Sequence, residues 1–347
     1  MSETTPSGDN SLLHDTIPLR KISWFERFVG PENYRILKGL IKTPASILGF
    51  ILIALFILTA ICAPLIIPPA TPNDPYKMPR DGYSSTPKPM GTEWRLNKPG
   101  YVPGWYKLVT GNEEWTHILG TSQGQYDVFY GIIWGTRTAF KTGFIVVIAT
   151  FLIGIIIGSV SAYYGGAVDM VIMRIVDVFM TLPYILAALI LAAVLTPLIG
   201  RSTFPAIIAM VTFGWMGYSR IIRGDILSIK QRDYVMAARV IGVKDSRILF
   251  RHILPNAIFP TMVLATLAIG DVVLSFAALS FLGIGTPTGY ADWGQILSFA
   301  RNWITDLGTY WYIVVWPGIT LVLFVMGWNL VGDALRDVLD PRMRGSQ

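Results

Sequence analysis

Cysteine and histidine are scarce in this chain, and their scarcity limits the chemistry that it can perform. Among 347 residues there is one cysteine, Cys62, which lies in an apolar run and cannot form an internal disulfide. The three histidines, His14, His117 and His252, are far apart in the sequence. No nucleophile, base and orienting group occur together in a recognisable pattern. We therefore expect no metal site, no catalytic residues and no cofactor.

Charged residues are also few, at 14% of the chain, whereas 52% of the residues are hydrophobic and the mean hydropathy is +0.51. This composition is too apolar for a typical soluble globular protein and predicts an integral membrane protein. The net charge of +6 could suggest a nucleic-acid partner, but a basic excess in a membrane protein usually lies in cytoplasmic loops. We expect no nucleic acid. No cleavable signal peptide is evident, because the first apolar run follows a polar leader and is long enough to span.

Six apolar stretches each approach the ~20 residues that a helix needs to cross a hydrocarbon core of about 30 Å. The fourth is the weakest because Arg220 interrupts its end, although an arginine there can extend its head to the membrane surface. The sequence thus predicts an all-α protein with six transmembrane helices. The predicted spans are 45–67, 144–162, 178–198, 204–222, 257–281 and 311–331.

Basic residues near the span ends predict the orientation, because they are retained in the cytoplasm. The segment 219–256 carries eight basic and three acidic residues and is expected inside. Six spans then place both termini in the cytoplasm. The predicted organisation is a leader with an amphipathic stretch at 24–42, a first span, an extracytoplasmic segment, a core with five spans and a tail; the bounds are 1–44, 45–67, 68–127, 128–331 and 332–347.

The extracytoplasmic segment 68–127 is long and rich in proline, glycine and aromatic residues. Its composition allows three interpretations: a small ordered cap, a docking surface for a partner, or aromatic side chains at the level of the lipid headgroups. The sequence does not decide among them.

The basic segment 233–255 predicts a compact helix-turn-helix between two spans. Ala237 and Ala238 favour a first helix over 232–241, and Gly242 follows where a left-handed C-terminal cap is needed. A second helix is expected to begin near Asp245, with Asp245 or Ser246 capping its free amides. It should end by residue 254, because Pro255 disfavours helical geometry in the residue before it.

Ala237-Ala238, Gly242 and His252-Ile-Leu-Pro255-Asn256, at this spacing, resemble the signature cytoplasmic loop of ATP-binding-cassette importer permeases. The resemblance implies that the loop docks into an ATPase subunit. Family members often have Glu where this chain has Met236, so a salt bridge from that position is not expected. The expected coupling residues are Met236, Ala237, Ala238, Gly242, Asp245, Arg247, His252 and Pro255.

His117-Ile-Leu-Gly120-Thr121 and Gly135-Thr-Arg137 resemble the C-type subunits of dipeptide and oligopeptide permeases, with about 79–115 as an insertion outside the resemblance. A type I importer permease fold is implied, in a bacterial or archaeal cytoplasmic membrane. The implied partners are a homologous second permease, two ATPase subunits and an extracytoplasmic substrate-binding protein. Peptide is the leading expectation for the substrate, and an oligosaccharide or a nickel complex remains open.

Two other classes fit the sequence less well. A secondary transporter would usually show inverted repeats, broken helices and more charge inside the membrane. A membrane-embedded enzyme would need clustered His, Asp or Glu near one face. The chain also lacks a Gly-x-x-x-x-Gly-Lys-[Ser/Thr] loop, so it should not hydrolyse ATP by itself.

Asp271 lies inside the fifth predicted span, where an ionisable group normally faces a partner or a water-filled cavity. It could line a translocation path or bond to a partner subunit. Related permeases often place an acid a turn later, where this chain has Phe276, so the family role does not transfer to Asp271. Glycines are expected to permit close helix packing; they are Gly154, Gly158, Gly165 and Gly166.

Overall fold

The computed structural model describes residues 39–40 and 43–339, and within them the chain is helical, with isolated β-bridges and no strands. The amphipathic stretch predicted at 24–42 lies outside the described residues except for 39–40, as does the end of the tail from 340. The helices are α1 (Pro44–Ile66), α2 (Gly104–Thr110), α3 (Val128–Tyr164), α4 (Gly166–Met180), α5 (Tyr184–Ile199), α6 (Phe204–Gly214), α7 (Met216–Ile229), α8 (Asp233–Val240), α9 (Asp245–Ile248), a π-helical turn (Leu249–Ile253), α10 (Leu254–Phe281), α11 (Trp293–Ala300), a 3-10 turn (Arg301–Asp306), α12 (Leu307–Tyr310) and α13 (Tyr312–Leu339).

Five helical runs of the described chain are long and apolar enough to cross a membrane, and a bent pair of helices makes a sixth when it is counted as one span. This agrees with the predicted all-α membrane protein and its six spans. The five runs are Pro44–Ile66, Val128–Tyr164, Phe204–Ile229, Asp245–Phe281 and Tyr312–Val338; the bent pair is α4 with α5.

The third span differs from its prediction. The apolar run predicts one helix over 178–198, but α4 ends at Met180 and α5 begins at Tyr184, with an angle of 86° between them. Pro183 explains the break, because its ring disfavours helical geometry at Leu182 and it lacks an N–H. The straight part of this span is therefore α5 alone.

The close packing predicted for four glycines holds for two of them. A Cβ at Gly154 would lie 2.5 Å from the Cβ of Tyr218, and one at Gly158 would overlap the carbonyl oxygen of Ser219, so α3 and α7 meet at these positions. Gly165 and Gly166 have no atom within 4 Å of such a Cβ. Their φ angles of 65° and 54° show that they make the turn between α3 and α4. The prediction was wrong for this pair.

The C-terminal end of α1 is held by side chains from elsewhere in the chain. Pro64 has no N–H, so the carbonyl of Ala60 has no partner four residues on; Arg137 of α3 donates its Nε–H to that oxygen at 2.7 Å. The last carbonyls of a helix also lack intrahelical partners. The indole N–H of Trp105 donates to Ile66 O, and that of Trp134 donates to Ile67 O, both at 3.1 Å. These bonds fix α1 against α3.

The segment between α1 and α3 is an ordered cap, one of the three arrangements that its composition allows. Trp94, Tyr106 and Trp115 are buried and pack in one cluster with Tyr130 and Trp134 of α3. Burial of large aromatic side chains is the strongest source of hydrophobic stabilisation available to so short a segment. The cap is thus a folded extension of the N-terminal end of α3.

A buried polar network fastens the cap to the start of α3. The Nδ1 atom of His117 lies 2.7 Å from Asp127 Oδ2, and its Nε2 atom lies 3.1 Å from Asp81 Oδ2. Asp81 also pairs with Lys88 and accepts hydrogen bonds from the amides of Arg95 and Leu96. Burial by itself would raise the pKa of Asp81, but the bonds from Lys88, Leu96 and His117 outweigh it and the pKa is lowered. The carboxylate form is therefore part of the folded cap.

Candidate functional site

The predicted helix-turn-helix begins with α8, whose bounds agree with the prediction. A glycine cap ends this helix. Gly242 has a φ of 77°. Its N–H donates to Arg239 O at 3.0 Å, and the N–H of Val243 donates to Ala238 O at 3.1 Å. This pair of bonds is the Schellman motif, in which a left-handed residue satisfies the last helical carbonyls. The left-handed cap predicted at Gly242 is confirmed.

The second helix differs from its prediction, since it does not end before Pro255. After α9 the chain widens into the π-turn, where the N–H of Leu254 donates to Leu249 O, and it continues directly into α10. Pro255 lies in the first turn of α10, directly after the π-turn, and such a local π adjustment lets a helix continue through a residue that lacks an N–H. The whole run Asp245–Phe281 is one helical unit. The second half of the segment predicted to dock, from Asp245 onward, is thus continuous with the fifth span.

The predicted cap of α9 is also wrong, because no side chain bonds to its free amides. The Asp245 carboxylate instead accepts a hydrogen bond from the Tyr163 hydroxyl at 2.5 Å. The ammonium of Lys230 donates to the carbonyls of Tyr163 and Ala162, at 2.5 and 3.3 Å, where a helix C-terminus favours a cation. Burial and the nearby charge of Arg239 lower the pKa of Lys230. The Asp245 contact ties the segment to the C-terminal end of α3, and the Lys230 contact ties the end of α7 to the same place.

Two ion pairs hold α4 to α7 near the same end of the molecule. Arg223 contacts Asp169 with two nitrogens, Nε at 2.5 Å from Oδ1 and Nη2 at 2.6 Å from Oδ2, a fork-to-fork geometry. Arg220, the residue that weakened the fourth predicted span, pairs with Asp177. The arginines therefore have structural partners inside the chain.

The outward face of the segment is apolar, with cations at its margin. Val240 and Ile241 are 86% and 78% exposed, and Phe250 is also exposed. Exposed apolar side chains in such a cluster are typical of a protein contact. The exposed cations of the same segment are Arg239, Lys244, Arg247 and Arg251. We call Met236, Ala237, Val240, Ile241 and Phe250 the apolar docking face, after the ATPase contact that the sequence predicts for this segment.

The coupling residues predicted from the sequence divide into two groups. Met236, Ala237, Gly242, Asp245, Arg247 and Pro255 are exposed, whereas Ala238 is buried against the chain's own core and His252 is half-buried. The small size of Ala238 thus serves packing within the subunit. Sequence reasoning missed Val240, Ile241 and Phe250; the available signal was their apolar character in an otherwise polar and basic segment.

Asp271 lies on a face of α10 that the rest of the described chain leaves uncovered. Leu264 and Leu274, at helical spacing from it, are exposed as well. No hydrogen bond or ion pair of its carboxylate occurs with any described residue. A carboxylate on a membrane-embedded face is costly unless water or a partner meets it. His, Cys, Asp and Glu form no group that could hold a metal ion in the described part of the chain.

Residues 151–345 match the family described as the inner membrane component of binding-protein-dependent transport systems. The chain belongs to this family. The match covers the docking face, α10 with Asp271, and α13. The family places the protein among the permease subunits of ATP-binding-cassette importers, in the inner membrane, and the helical architecture agrees with that assignment.

Named relatives extend the likeness over most of the permease. This chain is 34% identical over 307 residues to the dipeptide transport system permease protein DppC of Alkalihalophilus pseudofirmus. The match covers 88% of this chain and 89% of the relative. The chain is 34% identical to the oligopeptide permease OppC of Bacillus subtilis, and 35% identical to the glutathione permease GsiD of Pectobacterium atrosepticum. Each of these two likenesses covers 66% of this chain, and 72% and 73% of the relatives.

A solved structure shows the same fold. The inward-facing MetNI methionine transporter superposes with a TM-score of 0.50 at 19% identity, covering 61% of the permease and 97% of that chain. The fold class predicted from the sequence, a type I importer permease, is confirmed.

Proposed function

We propose that this permease forms half of the translocation pathway of an ATP-driven, binding-protein-dependent importer for peptides. A homologous permease supplies the other half, two ATPase subunits dock on the cytoplasmic side, and an extracytoplasmic binding protein delivers the substrate. The names of the relatives support the substrate class, because dipeptide, oligopeptide and glutathione all carry peptide bonds. ATP hydrolysis is assigned to the partner subunits.

One observation carries the coupling role: the helical run that contains α9 and Phe250 of the apolar docking face continues into the fifth span without a break. A displacement of α8 and α9 by a docked ATPase therefore moves α10 directly. The bonds from Tyr163 to Asp245 and from Lys230 to the end of α3 pass the same displacement to the second span. Such a movement shifts the populations of inward-open and outward-open states only if the contacts differ between them.

A charge placed on the docking face tests this assignment. Val240→Asp should reduce co-purification of the ATPase subunits and ATP-dependent uptake together, because a desolvated carboxylate at a protein contact is costly. Gln231→Asp is the matched control, since Gln231 is exposed and polar just before α8 and should assemble normally. Normal assembly and uptake in Val240→Asp would remove the docking assignment.

The proposed role of Asp271 is to line the path at the uncovered face of α10. Asp271→Asn keeps the size of the side chain and removes its charge, so uptake should fall while the full complex still co-purifies. Loss of assembly instead would assign Asp271 to the contact with the second permease. Unchanged uptake with normal assembly would eliminate both roles.

The substrate class is tested on the cognate binding protein, whose thermal unfolding should shift upward with short peptides and not with oligosaccharides or nickel complexes. A shift with oligosaccharide alone would overturn the peptide assignment and leave the permease assignment intact.

A further inference from the structure

An apolar patch on the cap lies beside the outer end of the first span. In α2, Trp105, Leu108 and Val109 are spaced i, i+3 and i+4 and therefore share one face. Leu108 and Val109 are 87% and 74% exposed, which is far more than apolar side chains of a folded cap need to be. About 100° round the helix from Trp105, Tyr106 is buried in the aromatic cluster and fixes the orientation of the helix. The patch is therefore a fixed feature of the surface.

The position of this patch relative to the membrane follows from α1. The indole N–H of Trp105 donates to the carbonyl of Ile66, the last residue of α1. A Cβ at Gly100 would lie 3.2 Å from the Cβ of Pro68, so the segment before α2 also passes over the end of α1. Next to Gly100, the aromatic ring of Tyr101 is exposed. The segment from Tyr101 to Val109 thus lies where α1 leaves the hydrocarbon core.

The surface of α1 below the patch is itself apolar and exposed. Ile61 and Leu65, in the last two turns of α1, are exposed, and α1 is the least buried of the five single-helix spans of the described chain. Lipid is the natural neighbour of such a peripheral, apolar span. The patch on α2 continues this lipid-facing surface beyond the end of the helix.

We infer that Tyr101, Trp105, Leu108 and Val109 form an interfacial anchor that inserts into the lipid headgroup region at the Ile66 end of α1. In the proposed topology this is the outer leaflet. Tyr and Trp are enriched at this depth because their rings are amphipathic, and short apolar helix faces insert just below the headgroups. The anchor holds the cap to the bilayer at the edge of the subunit. It requires neither a particular substrate nor ATP.

Spin labels on the full complex, reconstituted in phosphatidylethanolamine and phosphatidylglycerol vesicles, test the anchor. With Cys62→Ala as background, nitroxides are placed through Leu108→Cys and Val109→Cys. Lys107→Cys is the matched control, because Lys107 is exposed on the other side of the same helix. At 108 and 109, collisions with oxygen, which concentrates in the bilayer, should exceed collisions with a water-soluble nickel chelate several-fold. At 107 the order should reverse.

Equal access of the nickel chelate to all three positions would overturn the anchor. Exclusion of the chelate from 108 and 109 only after the binding protein is added would also overturn it, because the occupant would then be a protein. Neither readout depends on uptake, so a failure of the anchor is distinguishable from a failure of the proposed transport function.

Discussion

Pro64 and Arg137 show how one missing N–H is compensated across two helices. The proline leaves the carbonyl of Ala60 without its helical partner, and the guanidinium of Arg137 occupies that acceptor at 2.7 Å. An unsatisfied carbonyl near the hydrocarbon core is costly. The two residues, 73 positions apart by their numbers in the sequence, therefore act as a pair. Their pairing was not predictable from the sequence, because it depends on which helix lies beside α1.

A double-mutant cycle tests this pair. Arg137→Met should destabilise the permease by about 1 kcal/mol, because it leaves the Ala60 carbonyl unbonded. In a Pro64→Ala background the same change should have a smaller effect, since the substituted residue supplies the helical N–H that proline lacks. The measurement is thermal unfolding of the purified complex in all four combinations. Equal effects of Arg137→Met in both backgrounds would show that the two residues are independent.

The lowered pKa of Asp81 predicts how the cap responds to acid. Its folded-state pKa is below the ordinary value of 3.8, so the carboxylate stabilises the fold above pH 3.8, and this stabilisation is lost as the pH falls through the lowered value. Asp81→Asn cannot keep the ion pair with Lys88. The stability difference between the natural protein and Asp81→Asn should be largest at neutral pH and shrink in acid, as followed by near-ultraviolet circular dichroism. A stability difference that does not change with pH would contradict the conclusion that the Asp81 carboxylate stabilises the folded cap.

At the scale of elements, apolar runs predicted that spans exist, and prolines account for two of the places where the predicted bounds differ from the observed ones. Pro64 lies inside α1, and Pro260 and Pro317 lie inside α10 and α13, without ending their helices. Pro183 instead stands at an 86° break, and Pro255 lies at the start of a helix although its local preference predicts a stop. The local preference is the same in every case. The outcome depends on whether neighbours satisfy the freed carbonyl and on where in a turn the proline falls, which is tertiary information.

The cap of α8 gives a prediction at this scale. Gly242 has a φ of 77°, and no atom lies within 4 Å of an added Cβ, so Gly242→Ala meets only backbone strain. Strain of about 1 kcal/mol should raise hydrogen exchange in residues 233–248 roughly five-fold. Gly224→Ala is the control, because Gly224 is helical with equally open surroundings and alanine should slow local exchange. Unchanged protection in Gly242→Ala would show that the turn tolerates another geometry.

At the scale of the whole molecule, the sequence predicted where the candidate site lies better than it predicted which of the site's residues are exposed. Motif spacing located the loop, but it could not separate Ala238, which faces the chain's own core, from Ala237, which faces outward. The exposed apolar faces of α8, α10 and α2 were also not predictable from the sequence, because exposure depends on which helices cover one another. The orientation in the membrane was predicted from the basic residues alone, and it concerns all the spans of the molecule together.

Fusions of alkaline phosphatase, which is active only outside the cytoplasm, test this orientation. A fusion after Gln347 should be inactive, whereas one within the exposed turn at Asn112 should be active, because six spans and a basic inner loop place the two on opposite sides. Green fluorescent protein, which requires the cytoplasm, should give the opposite pattern. Activity of the phosphatase at both positions would break the six-span topology.

The unbroken helical run Asp245–Phe281 also fixes how its two ends are rotated relative to each other about the helix axis. In a continuous helix, each added or removed residue turns everything beyond it by about 100°. The direction in which α9 faces and the direction in which Asp271 points are therefore linked through the number of residues in the π-turn. Deletion of one residue there would turn Asp271 by about 100° relative to α9 and aim its carboxylate at a different neighbour.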